Sequence, residues 1–220
     1  MKNSLWILGS KGYASHLYGK FSSFYPIPFG VEPFGKLFKA KIGGHKPACV
    51  LFTGGGDLHP SLYGETEQTN EYYPFPEYHH TSRDAWEVAW YKWAVENKVP
   101  MLGTCRGMQL FCALTGGKLI QHVGNHHFDH LVYKTELFSQ KEPFEVNSIH
   151  HQQCILPKDA LLLAYATGIG FGKELGKIEP EAAYFPSINA LGFQWHPEAM
   201  RKESKAHEFV LQCMETYLNV

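Results

Sequence analysis

A cysteine between glycines and a histidine followed two residues later by a glutamate are the residues of this chain best suited to covalent chemistry. Cys105 lies in Gly103-Thr-Cys-Arg-Gly107, and His196 and Glu198 lie in Gln194-Trp-His-Pro-Glu198. A free thiol, with a pKa of about 8.5, is only slightly ionised at neutral pH and needs a base to act as a nucleophile. An imidazole hydrogen-bonded to a carboxylate through one nitrogen keeps the other free to take the thiol proton. Pro197 biases His196 to an extended conformation, and alternate residues of an extended chain point the same way, so His196 and Glu198 are expected to touch. Gly54-Gly-Gly-Asp57 follows an apolar run and can aim main-chain N–H groups at an oxyanion. Each piece alone has a plainer reading: a buried structural cysteine, a tight turn, or a helix start with Glu198 at its positive end. Together they supply nucleophile, base with orienter, and oxyanion donors, the parts of a thiol acyl-transfer site.

These groups work only if secondary structure presents them together. Val99 to Leu102 reads as a buried strand stopping at Gly103, and Met108, Leu110, Phe111 and Leu114 recur at helical spacing. Cys105 therefore falls where a strand turns abruptly into a helix, a nucleophile elbow, with the thiol exposed beside the positive end of the helix dipole. Residues 47–53 and 5–8 read as further strands. Tyr13, Leu17, Phe21 and Phe24 suggest a helix after the first strand, prolines and glycines break residues 26–35, and 36–42 is a helical candidate. Residues 58–81 read as a surface excursion, and 82–98 as a helix whose Trp86, Ala89, Trp90 and Trp93 face the core. A short strand is expected at 118–121. Short β-rich runs follow at 131–133, 144–149, 161–167, 182–185 and 190–195, with an antiparallel ribbon among them, and 198–218 reads as a closing amphipathic helix.

His122 and Asn125-His-His-Phe-Asp-His130 form a histidine-rich stretch whose spacing matches no zinc signature and which no nearby cysteine or carboxylate pattern completes. It is read as a polar loop, with no metal or organic cofactor expected. At 220 residues, with 44% hydrophobic and 15% aromatic residues, the chain suits one globular domain spanning 1–220. A formal charge of −1 suggests neither nucleic acid nor an anionic membrane as partner. No apolar run approaches the roughly 18 residues of a membrane span. Five scattered cysteines without a C-x-x-C pair indicate no disulfide framework, so a cytoplasmic location is expected.

The paired motifs Gly103-Thr-Cys-Arg-Gly-Met-Gln109 and Gln194-Trp-His-Pro-Glu198 resemble those of the class I glutamine amidotransferase superfamily, in which a Cys-His-Glu triad cleaves the γ-amide of glutamine. Within it the chain is most similar to the γ-glutamyl hydrolase-like peptidases, of the γ-glutamyl-γ-aminobutyrate hydrolase type. The likeness rests on Thr53 to Glu65, Arg83-Asp84, Cys105-Arg-Gly107 and Val146-Asn-Ser-Ile-His-His-Gln152, and covers roughly residues 47–200. It implies an α/β, flavodoxin-like three-layer sandwich around a mostly parallel sheet. It also implies Cys105 as nucleophile, His196 as proton shuttle and Glu198 as its orienter, with oxyanion donors from Gly55, Gly56 and Arg106. The glutamyl subsite would draw on Gln109, one helical turn after Cys105, and on Ser148, Ile149, His150 and His151. For Asp57, Glu65 and Arg83 a loop-anchoring ion pair is the plainer role.

The expected activity is hydrolysis of a γ-glutamyl amide, glutamine or a γ-glutamyl-amine conjugate, through a thioester on Cys105. The partner would then be a small-molecule γ-glutamyl substrate. Two alternatives stand beside it: a glutaminase subunit delivering ammonia to a separate synthetase, and a catalytically idle binding or regulatory protein on the same fold.

Overall fold

Strand β1 (Ser4–Leu8) is buried along its whole length because both of its faces are covered. In the computed structural model, which describes residues 4–9, 21–34, 45–65, 81–170 and 177–220, β1 lies inside a nine-stranded sheet. The other strands are β2 (Ser23–Ile27), β3 (Cys49–Phe52), β4 (Met101–Thr104), β5 (Lys118–Ile120), β6 (His130–Lys134), β7 (Phe144–Val146), β8 (Gln153–Ile155), β9 (Leu161–Ala166), β10 (Glu179–Phe185) and β11 (Ala190–Phe193). The large sheet runs β2-β1-β3-β4-β11-β10-β9-β6-β7, and β5 pairs with β8 in a separate antiparallel ribbon. From β2 to β11 every neighbouring pair is parallel. From β11 to β7 every pair is antiparallel.

Among the described residues three α-helices cover the sheet: α1 (Thr81–Glu96), α2 (Arg106–Leu114) and α3 (Lys205–Cys213). Strand residues alternate between two apolar layers. Trp6, Leu8, Val50, Phe52 and Met101 pack with Trp86, Trp90 and Trp93 of α1 and Met108 and Phe111 of α2. Leu5, Ile7, Leu51, Leu102, Leu191 and Phe193 pack on the opposite face with Phe209 and Val210 of α3. Helices thus lie on both faces of a sheet whose parallel strands follow the order 2-1-3-4-5, with β11 in fifth place, which is the flavodoxin-like arrangement. The expected tryptophan stripe is core: Trp6 stacks on Trp93 with ring centroids 5.5 Å apart.

Several boundaries differ from the pattern-based reading. Phe24 lies in β2 and Phe21 in irregular chain, so neither continues a helix; Tyr13, Leu17, 36–42 and 66–80 lie outside the described residues. Pro26 sits within β2, which is tolerable because β2 is the outermost strand. Strand β4 runs through Gly103 to Thr104, β7 ends at Val146 and β11 at Phe193, while β8 was not anticipated. The closing helix starts at Lys205 rather than near 198, with the Ser204 hydroxyl accepting the His207 N–H at 3.2 Å as its cap. Among the described residues the five cysteines are free, and no helix is long and apolar enough to cross a membrane.

Candidate active site

Strands β3, β4 and β11 are consecutive and parallel, so the segments after them emerge at one edge of the sheet. Those segments are the glycine loop from Gly54, the elbow at Cys105 and the turn at His196. Ligands of open α/β sheets bind outside the carboxyl ends of the strands, and here all three sequence-predicted pieces meet there.

The elbow is sharp. Cys105 has φ 49° and ψ −107°, a conformation that is costly for a residue with a side chain and that typifies strained functional positions. It is held because the Cys105 N–H donates to the Phe193 carbonyl at 2.7 Å while its own carbonyl accepts from Gln109 N–H at 3.2 Å, the first turn of α2. The flanking glycines are needed for packing: a Cβ on Gly107 would stand 2.3 Å from the Phe52 carbonyl oxygen, so only glycine lets α2 approach β3 this closely. The expected exposed thiol is corrected, since Cys105 is only 5% exposed. Gly54 and the His196 ring pack against it, and the partly exposed imidazole forms the outer side of the pair.

His196 Nδ1–H donates to Glu198 Oε1 at 2.7 Å, and its ring lies with Cys105 against Gly54, close enough for the thiol to act on its protonation. The two residues meet differently from the strand-alternation argument. His196 (φ −104°, ψ 85°) caps a 3-10 turn over Pro197–Ala199, and the turn carries Glu198 back to the ring. Burial works to lower the imidazole pKa, but the hydrogen bonds and charges of Cys105 and Glu198 outweigh it and lift the group to about 10. Asn147 clamps the histidine backbone from β7's end: its Nδ2 donates to the His196 carbonyl at 3.0 Å, and the His196 N–H donates to its Oδ1 at 2.8 Å.

On the other flank the glycine loop is braced by Arg83 of α1. Its Nη2 donates to the Thr53 and Gly54 carbonyls at 3.1 and 2.9 Å, and its Nε to Glu87 at 2.9 Å. A trans peptide points its N–H opposite its C=O, so turning these carbonyls toward Arg83 turns the Gly54 and Gly55 N–H groups away from it. Gly55 is solvent-exposed. Gly56 is half-buried beside it. The Arg106 guanidinium is buried between Asp84 and Glu87 of α1, so this residue can offer the site only its main-chain N–H, unpaired within α2 at the helix start.

The expected substrate residues are placed diversely. Gln109 is buried, with its amide donating to the Gln152 carbonyl at 3.3 Å and Gln194 Oε1 at 3.4 Å. The Ser148 hydroxyl is committed to the His126 carbonyl at 2.7 Å, and Ile149 is 71% exposed. His150 is buried against His126, whereas His151 Nε2 donates to both Asp57 oxygens at 3.0 Å. Asp57 and Arg83 thus serve as loop anchors, the plainer role expected of them. Glu65 closes a backbone turn through its N–H to the Pro60 carbonyl at 3.1 Å. Asn147 and Asp84 lie in segments that carry the resemblance, but they and Glu87 were given no role at the site; the contact of Asn147 with His196 has no local pattern. Among the described residues, His126, His150 and Glu181 are the group whose donor atoms converge closely enough to hold a metal.

The chain is similar to known proteins in sequence and in fold. Residues 48–198 match the Peptidase C26 family. A candidate glutamine amidotransferase-like protein YvdE from Lactococcus lactis is 32% identical over 167 residues, covering 68% of this chain and 65% of that protein. A gamma-glutamyl-CDP-amidate hydrolase from Campylobacter jejuni is 30% identical over 134 residues, covering 60% of this chain and 54% of its own length. The matches thus span about half to two thirds of these curated relatives. Among solved structures, a candidate GMP synthase component from Thermoplasma acidophilum superposes with a TM-score of 0.64 at 13% identity, covering 100% of this chain and 95% of that one. A glutamine amidotransferase from Thermotoga maritima does so with a TM-score of 0.55 at 16% identity, covering 99% and 84%. The structural likenesses establish the shared fold, and the sequence match over the elbow and the His-Pro-Glu turn places this chain in the Peptidase C26 family of glutamine amidotransferase-like proteins.

Proposed function

We propose that this protein hydrolyses γ-glutamyl amides of small molecules through a covalent thioester on Cys105. The observation that carries the reading is His196 held between the Cys105 thiol and Glu198 at the carboxyl ends of adjacent strands β4 and β11. The sulfur gives its proton to His196 and attacks the γ-carbonyl carbon. The carbonyl oxygen gains the negative charge and is met by main-chain N–H groups of the Gly55–Gly56 loop and of Arg106. Collapse breaks the C–N bond as His196 gives its proton to the departing amine. Water, losing a proton to the same imidazole, then attacks the thioester, releasing glutamate and restoring the thiol. Glu198 holds the tautomer and orientation of the ring throughout. Gln109 and the outer side of the segment from Ser148 to His151, with the exposed Ile149 nearest solvent, are assigned to the glutamyl end, while the His150 ring and the Ser148 hydroxyl turn to the interior. The name of the Campylobacter relative supports a γ-glutamyl amide as the bond cleaved.

The test is to incubate the purified chain and its Cys105→Ala variant with glutamine and a panel of γ-glutamyl amines and amidates, measuring ammonia, amine and glutamate. The proposal expects Cys105-dependent turnover of at least one conjugate without a partner. Turnover of glutamine alone, and only with an added synthetase, would favour the ammonia-delivering glutaminase. Absence of turnover together with no covalent capture of Cys105 by a glutamine-like electrophile would leave a binding protein.

A further inference from the structure

Beside the segment that clamps His196, four ionisable side chains meet in the protein interior with no ordinary bonding pattern. His126 and Glu181 are fully buried, and His150 and His130 are 4% and 7% exposed. Three ring nitrogens face one carboxylate oxygen, Glu181 Oε1: His126 Nδ1 at 3.7 Å, His150 Nε2 at 3.7 Å and His130 Nε2 at 3.5 Å. Among the described residues none of these nitrogens, and neither oxygen of Glu181, has a hydrogen-bond partner at ordinary distance and angle.

The opposite nitrogen of every ring is tied down. His126 Nε2 bonds Glu179 at 2.7 Å, and Glu179 also accepts from the Ile169 and Gly170 N–H groups at 3.1 and 3.0 Å. His150 Nδ1 bonds the Gln152 carbonyl at 3.0 Å, and His130 Nδ1 the Phe128 carbonyl at 3.1 Å. A carbonyl only accepts, as does an ionised carboxylate, so the proton of each neutral ring sits on its outer nitrogen. The inner nitrogens then present bare lone pairs to the lone pairs of Glu181, in a place water does not reach. Such an arrangement is repulsive by itself and becomes bonding around a cation. Outer-nitrogen bonds to carboxylate and carbonyl groups are how metal-ligating histidines are oriented.

We propose that this cluster is a structural metal site for a divalent transition ion, zinc by its nitrogen and oxygen donors, with His126 Nδ1, His150 Nε2 and Glu181 as ligands and His130 Nε2 closing the fourth position. The donor atoms of His126, His150 and Glu181 lie within 4.8 Å of one another. Zinc bonds of about 2.0–2.2 Å set tetrahedral donors roughly 3.4 Å apart, so binding draws the side chains inward by about 1 Å. Four protein ligands in a closed pocket leave no open position, the mark of a structural rather than a catalytic ion. The ion would tie β10 and β6 to the segment that also carries Asn147, whose amide holds His196, and Ser148, whose hydroxyl bonds the His126 carbonyl. The carboxylates missing from the histidine-rich stretch in sequence are therefore supplied by Glu179 and Glu181 some fifty residues later.

The full chain, purified without chelator, is assayed for metal by inductively coupled plasma mass spectrometry; about one zinc per chain is expected. Chelation should lower the thermal midpoint and added zinc restore it. Cobalt(II) loaded into the stripped wild-type chain should show the visible bands of a four-coordinate ion, a readout that requires no variant to fold. Glu181→Gln, which keeps the shape, should abolish those bands, and Glu179→Gln should weaken zinc affinity about 10–100-fold by releasing His126. A metal-free wild-type chain whose melting ignores both zinc and chelator overturns the proposal, leaving a proton on His130 as the countercharge to Glu181. Zinc bound equally by wild type and Glu181→Gln also overturns it, because other histidines would then hold the ion. These readouts are independent of catalysis by Cys105.

Discussion

Replacing Gly54 by alanine probes the site at its tightest point. Gly54 does not have the left-handed backbone that excludes side chains, so alanine is tolerated by its main chain; what it lacks is room. The added Cβ would stand 2.5 Å from His196 Cε1, 3.3 Å from Nε2 and 3.4 Å from the Cys105 Cβ. Carbon atoms rest about 3.5–4.0 Å apart, so the ring must retreat by about 1 Å. It cannot do so freely, because Glu198 holds Nδ1 and Asn147 holds the backbone on both sides. The displacement therefore falls on the contact with the thiol. Misplacing a reacting group by about 1 Å costs on the order of 100-fold, or about 2.7 kcal/mol of barrier. We expect kcat for amide hydrolysis to fall about 100-fold with KM changed less than about threefold. Alkylation by iodoacetamide, followed at the Cys105 peptide by mass spectrometry, gives a readout needing no substrate. The other thiols are poor competitors: each is less exposed than Cys105, and burial pushes Cys49 and Cys213 well above the ordinary thiol range. Slower alkylation of Cys105 is expected with an unchanged circular dichroism spectrum. An alanine variant that alkylates and turns over at wild-type rates would refute the claim that glycine is required for the pair to form.

Three further outcomes follow from the same geometry. His196, lifted from 6.5 to about 10, binds its proton more tightly folded than unfolded, so its contribution is complete below pH 6.5 and lost as pH rises through about 10. The gap in thermal midpoint between wild type and His196→Asn should therefore narrow across that window, and a widening gap would contradict the assignment. Asn147→Ala removes two hydrogen bonds to the His196 backbone and should lower kcat about tenfold with little change in KM, as steady-state kinetics will show; equal loss in both would point to a substrate contact instead. Gly107→Ala drives a Cβ to 2.3 Å from the Phe52 carbonyl oxygen, where neither backbone can yield, and should cost about 3 kcal/mol or more in urea unfolding; a wild-type midpoint would refute the close packing of α2 on β3.

The elbow, the glycine loop and the parallel half of the sheet were legible because local patterns encode them. Apolar runs such as 5–8 and 49–52 are buried on both faces, and glycines at 103 and 107 mark a close approach. Patterns failed where tertiary contacts decide. Phe24 has helical spacing from Phe21 yet lies in a strand, since pairing with β1 outweighs local periodicity. Glu198 reaches His196 through a turn rather than by strand alternation, because Pro197 begins a 3-10 turn after the extended segment. Cys105 was expected to be exposed, but how far a neighbouring loop covers a thiol is not written in the thiol's own neighbourhood.

From residues alone, then, came the chemistry available: a thiol, an imidazole with its carboxylate, and a glycine loop, each near the end of an apolar run. Only the folded chain decided their meeting, since the parallel order β3-β4-β11 brings three distant strand ends to one edge. It also decided what surrounds them, putting Arg83 behind the glycine loop, Asn147 behind His196 and Glu181 among three histidines. Partnerships between residues far apart in sequence leave no periodicity or spacing to read, because they are set by strand order and packing rather than by the local backbone.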